Sequence, residues 1–159
     1  YCMEQATDRC KMYCGEKNQM YSAMSEELAR MYNAAGRREE SLACHLAVRN
    51  QLFKNGYREG SLLLMVDNNM SVVYLDLGRP EEAIPYLTEA LELAKENGLV
   101  GPAVAEPTWN LARVYRALGD EEKEDIYLKA AVEGFRECYP PEHPKRIAAE
   151  QRLKEHQGE

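Results

Sequence analysis

Three segments of the chain superimpose without gaps: Leu28-Ala29-Arg30-Met31-Tyr32-Asn33-Ala34-Ala35-Gly36, Met70-Ser71-Val72-Val73-Tyr74-Leu75-Asp76-Leu77-Gly78 and Leu111-Ala112-Arg113-Val114-Tyr115-Arg116-Ala117-Leu118-Gly119. Each sets a large apolar residue beside a small one, with Tyr three residues on and Gly four beyond the Tyr. The three glycines stand 42 and 41 residues apart. Repetition at such a period marks stacked supersecondary units, each of which buries its apolar face only against its neighbours. The apolar, small and Tyr positions share one face at helical spacing, and the Gly suits a left-handed C-cap. Charged helix starts follow (Arg37-Arg38-Glu39-Glu40, Arg79-Pro80-Glu81-Glu82, Asp120-Glu121-Glu122), their carboxylates complementing the helix dipole. Twelve residues past each Gly stand Val48, Ala90 and Ala131, and four later Leu52, Ala94 and Phe135, a stripe able to pack on the first helix. Each unit is a predicted antiparallel helical hairpin. The expected fold class is all-α, an α-solenoid of such hairpins.

The same register divides the 159 residues as one domain: 1–14 as the end of a preceding hairpin, repeats over 19–56, 61–98 and 103–139, and a terminal capping helix over 143–157. In the first piece Ala6, Cys10 and Cys14 fall at the positions of Val48, Leu52 and Gly56. In the last, Ile147, Ala148, Ala149 and Leu153 supply the apolar side. A chain of this length buries roughly 70% of its unfolded surface. Lys and Arg number 20 against 27 Asp and Glu, a net charge of −7, which argues against duplex nucleic acid and for a protein partner. The longest apolar stretch, Leu62–Val66, is far short of the roughly 20 residues of a membrane span. No signal peptide is read at Tyr1-Cys2, and the start reads as a cut or processed end. Five Cys, an odd number without framework spacing, fit a reducing compartment. The expected location is intracellular, in the cytoplasm or an organelle interior.

Nothing in the chain pairs a nucleophile with its base, spaces His and Glu for a metal, or forms a Gly-rich phosphate loop. No enzymatic activity, cofactor or metal is expected. His45, His143 and His156 are far apart, and His45 reads as a packed imidazole. Cys2, Cys10 and Cys14 share a helix face that a soft metal could use, but they occupy packing slots of the repeat and read as core thiols. Met12, Met20, Met24, Met31, Met65 and Met70 fall mostly at helical spacing with Tyr and Leu and read as core filling.

Asn69-Met70-Ser71-x-x-Tyr74-x-x-x-Gly78-x-x-x-x-Ala83-x-x-x-Leu87-x-x-Ala90 resembles the tetratricopeptide repeat, an apolar-small-x-x-Tyr helix, a Gly turn and an Ala-bearing second helix. The 41 to 42-residue period is similar to kinesin light chain type repeats, as is the loop Tyr139-Pro140-Pro141-Glu142-His143-Pro144. Ser41 and Glu124 depart from the pattern, standing where Ala83 stands. The Glu124 carboxylate is expected either to splay its hairpin or to escape to solvent. The resemblance implies a non-enzymatic interaction module or scaffold whose first helices line a concave groove for a partner's peptide segment. The implied groove residues are Arg30, Asn33, Asn68, Asn69, Val72, Trp109, Asn110, Arg113 and Arg116. Their Arg and Trp content fits an acidic, extended or helical peptide with an aromatic anchor. Asn69 and Asn110 either hold a peptide backbone or brace neighbouring repeats, and Trp109 reads as partly buried packing. Glu26 and Glu106 stand where the chaperone-tail version of this fold uses Lys, which disfavours a co-chaperone. The competing expectation is a structural subunit of a large assembly, held through its edges and termini.

Overall fold

The computed structural model describes residues 2–15, 19–57 and 61–158, and among them the chain is all helix and turn. Eight helices follow in order: α1 (Cys2–Cys14), α2 (Gln19–Ala34), α3 (Arg38–Lys54), α4 (Ser61–Asp76), α5 (Pro80–Glu96), α6 (Pro102–Leu118), α7 (Glu121–Cys138) and α8 (Pro144–Gln157). They fall into two compact units, Tyr1–Gly78 with α1 to α4 and Arg79–Glu159 with α5 to α8. In the first unit α2 packs on α1, α3 and α4, and α3 on α4; in the second, α5, α6, α7 and α8 pack in succession.

Local signals place the turns. Gly36, Gly78 and Gly119 take φ of 77°, 70° and 73°, the left-handed conformation that ends each first helix at little cost only with glycine. Each second helix then opens on a side-chain bridge across its first turn: Arg37 Nε to Glu40 at 2.8 Å, Arg79 Nε to Glu82 at 2.5 Å, and Asp120, which accepts the Lys123 backbone N–H at 3.1 Å.

The repeated stripe is the core. Ala29, Ser71 and Ala112 are buried, as are Val48, Ala90 and Ala131, and Leu52, Ala94 and Phe135. Burial of these side chains, at about 25 cal/mol per Å² of apolar surface, drives the hairpins together. Ser41 Oγ donates to the Ala29 carbonyl at 2.7 Å, so a serine sits at a close helix contact without an orphaned hydroxyl. Gly134 lets α7 approach α6 so closely that an added Cβ would lie 3.0 Å from Ala105 Cβ.

Two expectations need correction. Met12, Met20, Met31 and Met65 are exposed, and of the methionines read as core only Met70 is fully buried. Helical spacing identifies a face but not its covering, and α1 packs chiefly on α2, which leaves Met12 and Tyr13 exposed. Glu124 neither splays its hairpin nor reaches solvent: it is 4% exposed, and Arg152 of α8 closes over it with Nε donating at 2.8 Å.

α8 is held more by polar locks than by apolar area. Ala149 is buried and Leu153 packs on the Phe135 cluster, while Ile147 and Ala148 face solvent. Arg136 Nε donates to Glu150 at 2.7 Å, and Arg146 Nη1 donates to the Tyr139 carbonyl at 3.0 Å. His143 begins the helix, stacking on Tyr139 and accepting the Lys145 N–H at 3.3 Å. Arg136, joined by Arg146, holds the Glu150 carboxyl below its ordinary value of 4.5. A depressed value in the folded state means stability present above pH 4.5 and lost as pH falls through the folded value. Trp109 packs on the same cluster as Ala149 and is the chain's single tryptophan. Its fluorescence is expected to report loosening of α8 below that pH, and Glu150→Gln to lower stability at neutral pH and flatten the acid limb. An unaltered acid limb in the variant would remove Glu150 as the cause.

Candidate functional site

Each unit holds its own share of the first-helix residues that the sequence singles out. In unit 1, α2 presents Arg30, exposed and bridged to Glu27 at 2.9 Å, and Asn33, half-buried. Asn33 Oδ1 is buried without a hydrogen-bond donor. α4 contributes Asn68, Asn69 and Val72, all half-buried. The Asn68 carbonyl accepts from Ser71 Oγ at 2.6 Å. Asn69 Nδ2 donates to Glu26 Oε1 at 2.7 Å, tying α4 to α2.

That bond belongs to a buried network. Glu26 and His45 are each 1% exposed, and His45 Nδ1 lies 2.7 Å from Glu26 Oε2. One carboxylate thus joins α2, α3 and α4. Beside it runs a second buried pair, Arg49 Nε to Asp67 Oδ1 at 2.7 Å, linking α3 to α4. Sequence reasoning noticed Glu26 only as a departure from a ligand clamp and missed both pairs. The signal that could have found them was polarity itself: Glu26, His45 and Asp67 stand on faces otherwise filled by small and apolar residues.

In unit 2, α6 carries Trp109, Asn110, Arg113 and Arg116. Trp109, Arg113 and Arg116 line one small cavity of about 80 Å³ together with Glu124, Leu128 and Arg152. Trp109 is half-buried, its ring tilted on Phe135 with centroids 6.4 Å apart. Asn110 is buried, and its Oδ1 accepts from Arg113 Nη1 at 3.1 Å. Arg116 is exposed. The cavity lining thus carries three guanidinium groups, one of them bonded to the buried Glu124, and one indole. Glu106 accepts from the Tyr139 hydroxyl at 2.6 Å, and burial, then that carboxylate, push the Tyr139 hydroxyl well above its ordinary 10.0.

Of the three thiols read as a possible soft-metal set, Cys10 is buried. The side chains of Cys2 and Cys14, like that of Ala6, lie outside the described residues. Among those described, no group of three or more His, Cys, Asp or Glu is placed to hold a metal ion. No described helix is long and apolar enough to cross a membrane.

Residues 62–137 match the tetratricopeptide repeat family. Among solved structures, the chain is similar to Podosopora anserina kinesin light chain-type repeats, described as nearly identical TPR-like repeats. A single-substitution variant of that protein gives a TM-score of 0.80 at 23% identity, and the form without the substitution 0.77 at 23%; each match covers 98% of this chain and 76% of that one. It is also similar to BtubC (BKLC) from P. vanneervenii, with a TM-score of 0.72 at 18% identity over 88% of this chain and 64% of that one. No curated protein matches the sequence.

Proposed function

We propose that this chain, which carries tetratricopeptide repeats in an all-α, TPR-like solenoid fold, is a non-enzymatic protein-interaction module that takes an acidic peptide segment with an aromatic anchor. The observation that carries this reading is the cavity of unit 2. Trp109, Arg113 and Arg116 come together there, while the buried Glu124 is answered by Arg152. An exposed Arg116 and a half-buried indole supply a charged rim and an apolar floor, the pairing that recurs where a few residues dominate a peptide interface. Guanidinium forks prefer carboxylates because both are planar and can bond in pairs. In unit 1 the bond from Asn69 to Glu26 supports bracing between helices.

The test is fluorescence anisotropy with a labelled Asp- and Glu-rich peptide bearing one tryptophan, and a Lys-rich counterpart. The acidic peptide is expected to bind, and Arg116→Glu to weaken it by about tenfold, with the slope against salt reduced. Because Arg116 is exposed, the melting temperature should be unmoved. Equal affinity in the variant, or equal affinity for the two peptides, would overturn the reading. Failure of both to bind would favour a structural subunit held through its edges.

A further inference from the structure

Unit 1 contains an open cavity of about 440 Å³ between α1, α2 and α3. Glu4 and Asp8 of α1, Tyr21 and Ser25 of α2, and Cys44 and Gln51 of α3 line it. Two buried polar atoms there are without a hydrogen-bond partner, Ser25 Oγ and Gln51 Nε2. Ser25 is 8% exposed, so water does not readily serve its hydroxyl. Orphaned groups of this kind are uncommon in folded chains because each forfeits a hydrogen bond it had in water.

The repeat supplies a control. Unit 2 has a cavity of about 590 Å³ at the same register, where Val104, Thr108, Tyr127 and Gly134 stand at the positions of Tyr21, Ser25, Cys44 and Gln51. There Thr108 Oγ1 donates to the Val104 carbonyl at 2.7 Å, and Gly134 brings no side chain at all. The hairpin fold is therefore satisfied with an apolar, internally bonded version of this cavity. The polar, open-valenced version is found in unit 1, and among the described residues its lining carries two carboxylates and no Lys or Arg, with Arg37 approaching Glu4 at 3.9 Å from outside the lining.

We propose that this cavity is a second peptide site, which receives a lysine or arginine residue of a partner protein. The cationic head sits toward Asp8, which is exposed, and Glu4, whose charge is partly answered by the Tyr32 hydroxyl and by Arg37 at 3.9 Å. The alkyl stem lies on Tyr21 and Leu28, as long cationic side chains do on apolar surface. Rotation of the half-buried Gln51 side chain and of the Ser25 hydroxyl lets the residue's carbonyl accept from Gln51 Nε2 and its N–H donate to Ser25 Oγ, which answers both open valences with one peptide unit.

The experiment is a proton–nitrogen NMR titration of the 159-residue chain with the capped tripeptides Gly-Lys-Gly and Gly-Glu-Gly. The Lys peptide is expected to give saturable shifts at the Ser25 backbone amide and the Gln51 side-chain amide, with unit 2 unmoved. Asp8→Asn should weaken it by about two- to fivefold, as loss of one exposed ion pair does. Gln51→Met, which keeps shape but not the donor, should weaken it as well. Absent shifts, equal shifts with the Glu peptide, or undiminished affinity in both variants would each overturn the proposal. Asp8 is exposed, so its variant stays folded and the test stays decisive.

Discussion

Glu26→Ala is expected to cost about 3–5 kcal/mol of stability, since it leaves two hydrogen-bonding groups without their partner at about 1–3 kcal/mol each. The carboxylate is 1% exposed and receives His45 Nδ1 and Asn69 Nδ2, each at 2.7 Å, so its loss strands an imidazole and an amide inside unit 1. His45, itself 1% exposed, cannot turn to water, and the half-buried Asn69 loses the acceptor that ties α4 to α2. Urea unfolding followed by helical circular dichroism measures the loss, with a fall in melting temperature of roughly 6–20 °C for a chain of this size. Glu26→Gln is the informative partner, since its oxygen still accepts from Asn69 and its nitrogen can donate to the other imidazole tautomer. It should cost only about 1–2 kcal/mol. A loss below about 1 kcal/mol for the alanine variant would mean that solvent reaches the network.

The pair at the other end of the chain predicts an asymmetry. Arg152→Ala is expected to cost about 2–4 kcal/mol, because Glu124, 4% exposed, would lose the guanidinium that bonds it in the interior and retain His156 at 3.8 Å. Glu124→Ala is expected to cost about 1 kcal/mol or less. It places alanine where Ala83 stands in the preceding repeat, and it frees Arg152, 21% exposed, to turn outward. The double variant should resemble Glu124→Ala rather than the sum of the two, since Arg152 has little to do once the carboxylate is gone. Denaturant titration read by Trp109 fluorescence, from the cluster on which α8 packs, gives all three values. The reverse order of the single variants would show that Arg152 does not seal Glu124.

Much of the hairpin pattern was legible because its signals are local. A glycine four residues past a tyrosine, an apolar and a small residue on one face, and carboxylates after the turn act through backbone sterics, helical period and the helix dipole. These are properties of neighbours in sequence, and Gly36, Gly78 and Gly119 all take the conformation that the spacing requires. The shared faces of side chains were legible in part. Trp109, Arg113 and Arg116 lie on one face of one helix, so their common cavity in unit 2 follows from spacing. Asn69 could not be decided in the same way, because its partner, Glu26, is 43 residues away.

The sequence by itself determined the helices, their turns and the repeated stripe that each hairpin turns inward, since a repeated short-range pattern specifies each hairpin wherever it occurs. Only the tertiary structure decided which polar residues are partnered. Glu26, Glu124 and Asp67 read alike as carboxylates on helices, yet each is buried and joined to a different helix by His45, Arg152 or Arg49. It also decided that Ser25 and Gln51 are left unanswered where Thr108 and Gly134 are not. Hydrogen bonds between helices depend on distances of a few ångströms set by packing, and no periodicity along the chain encodes those.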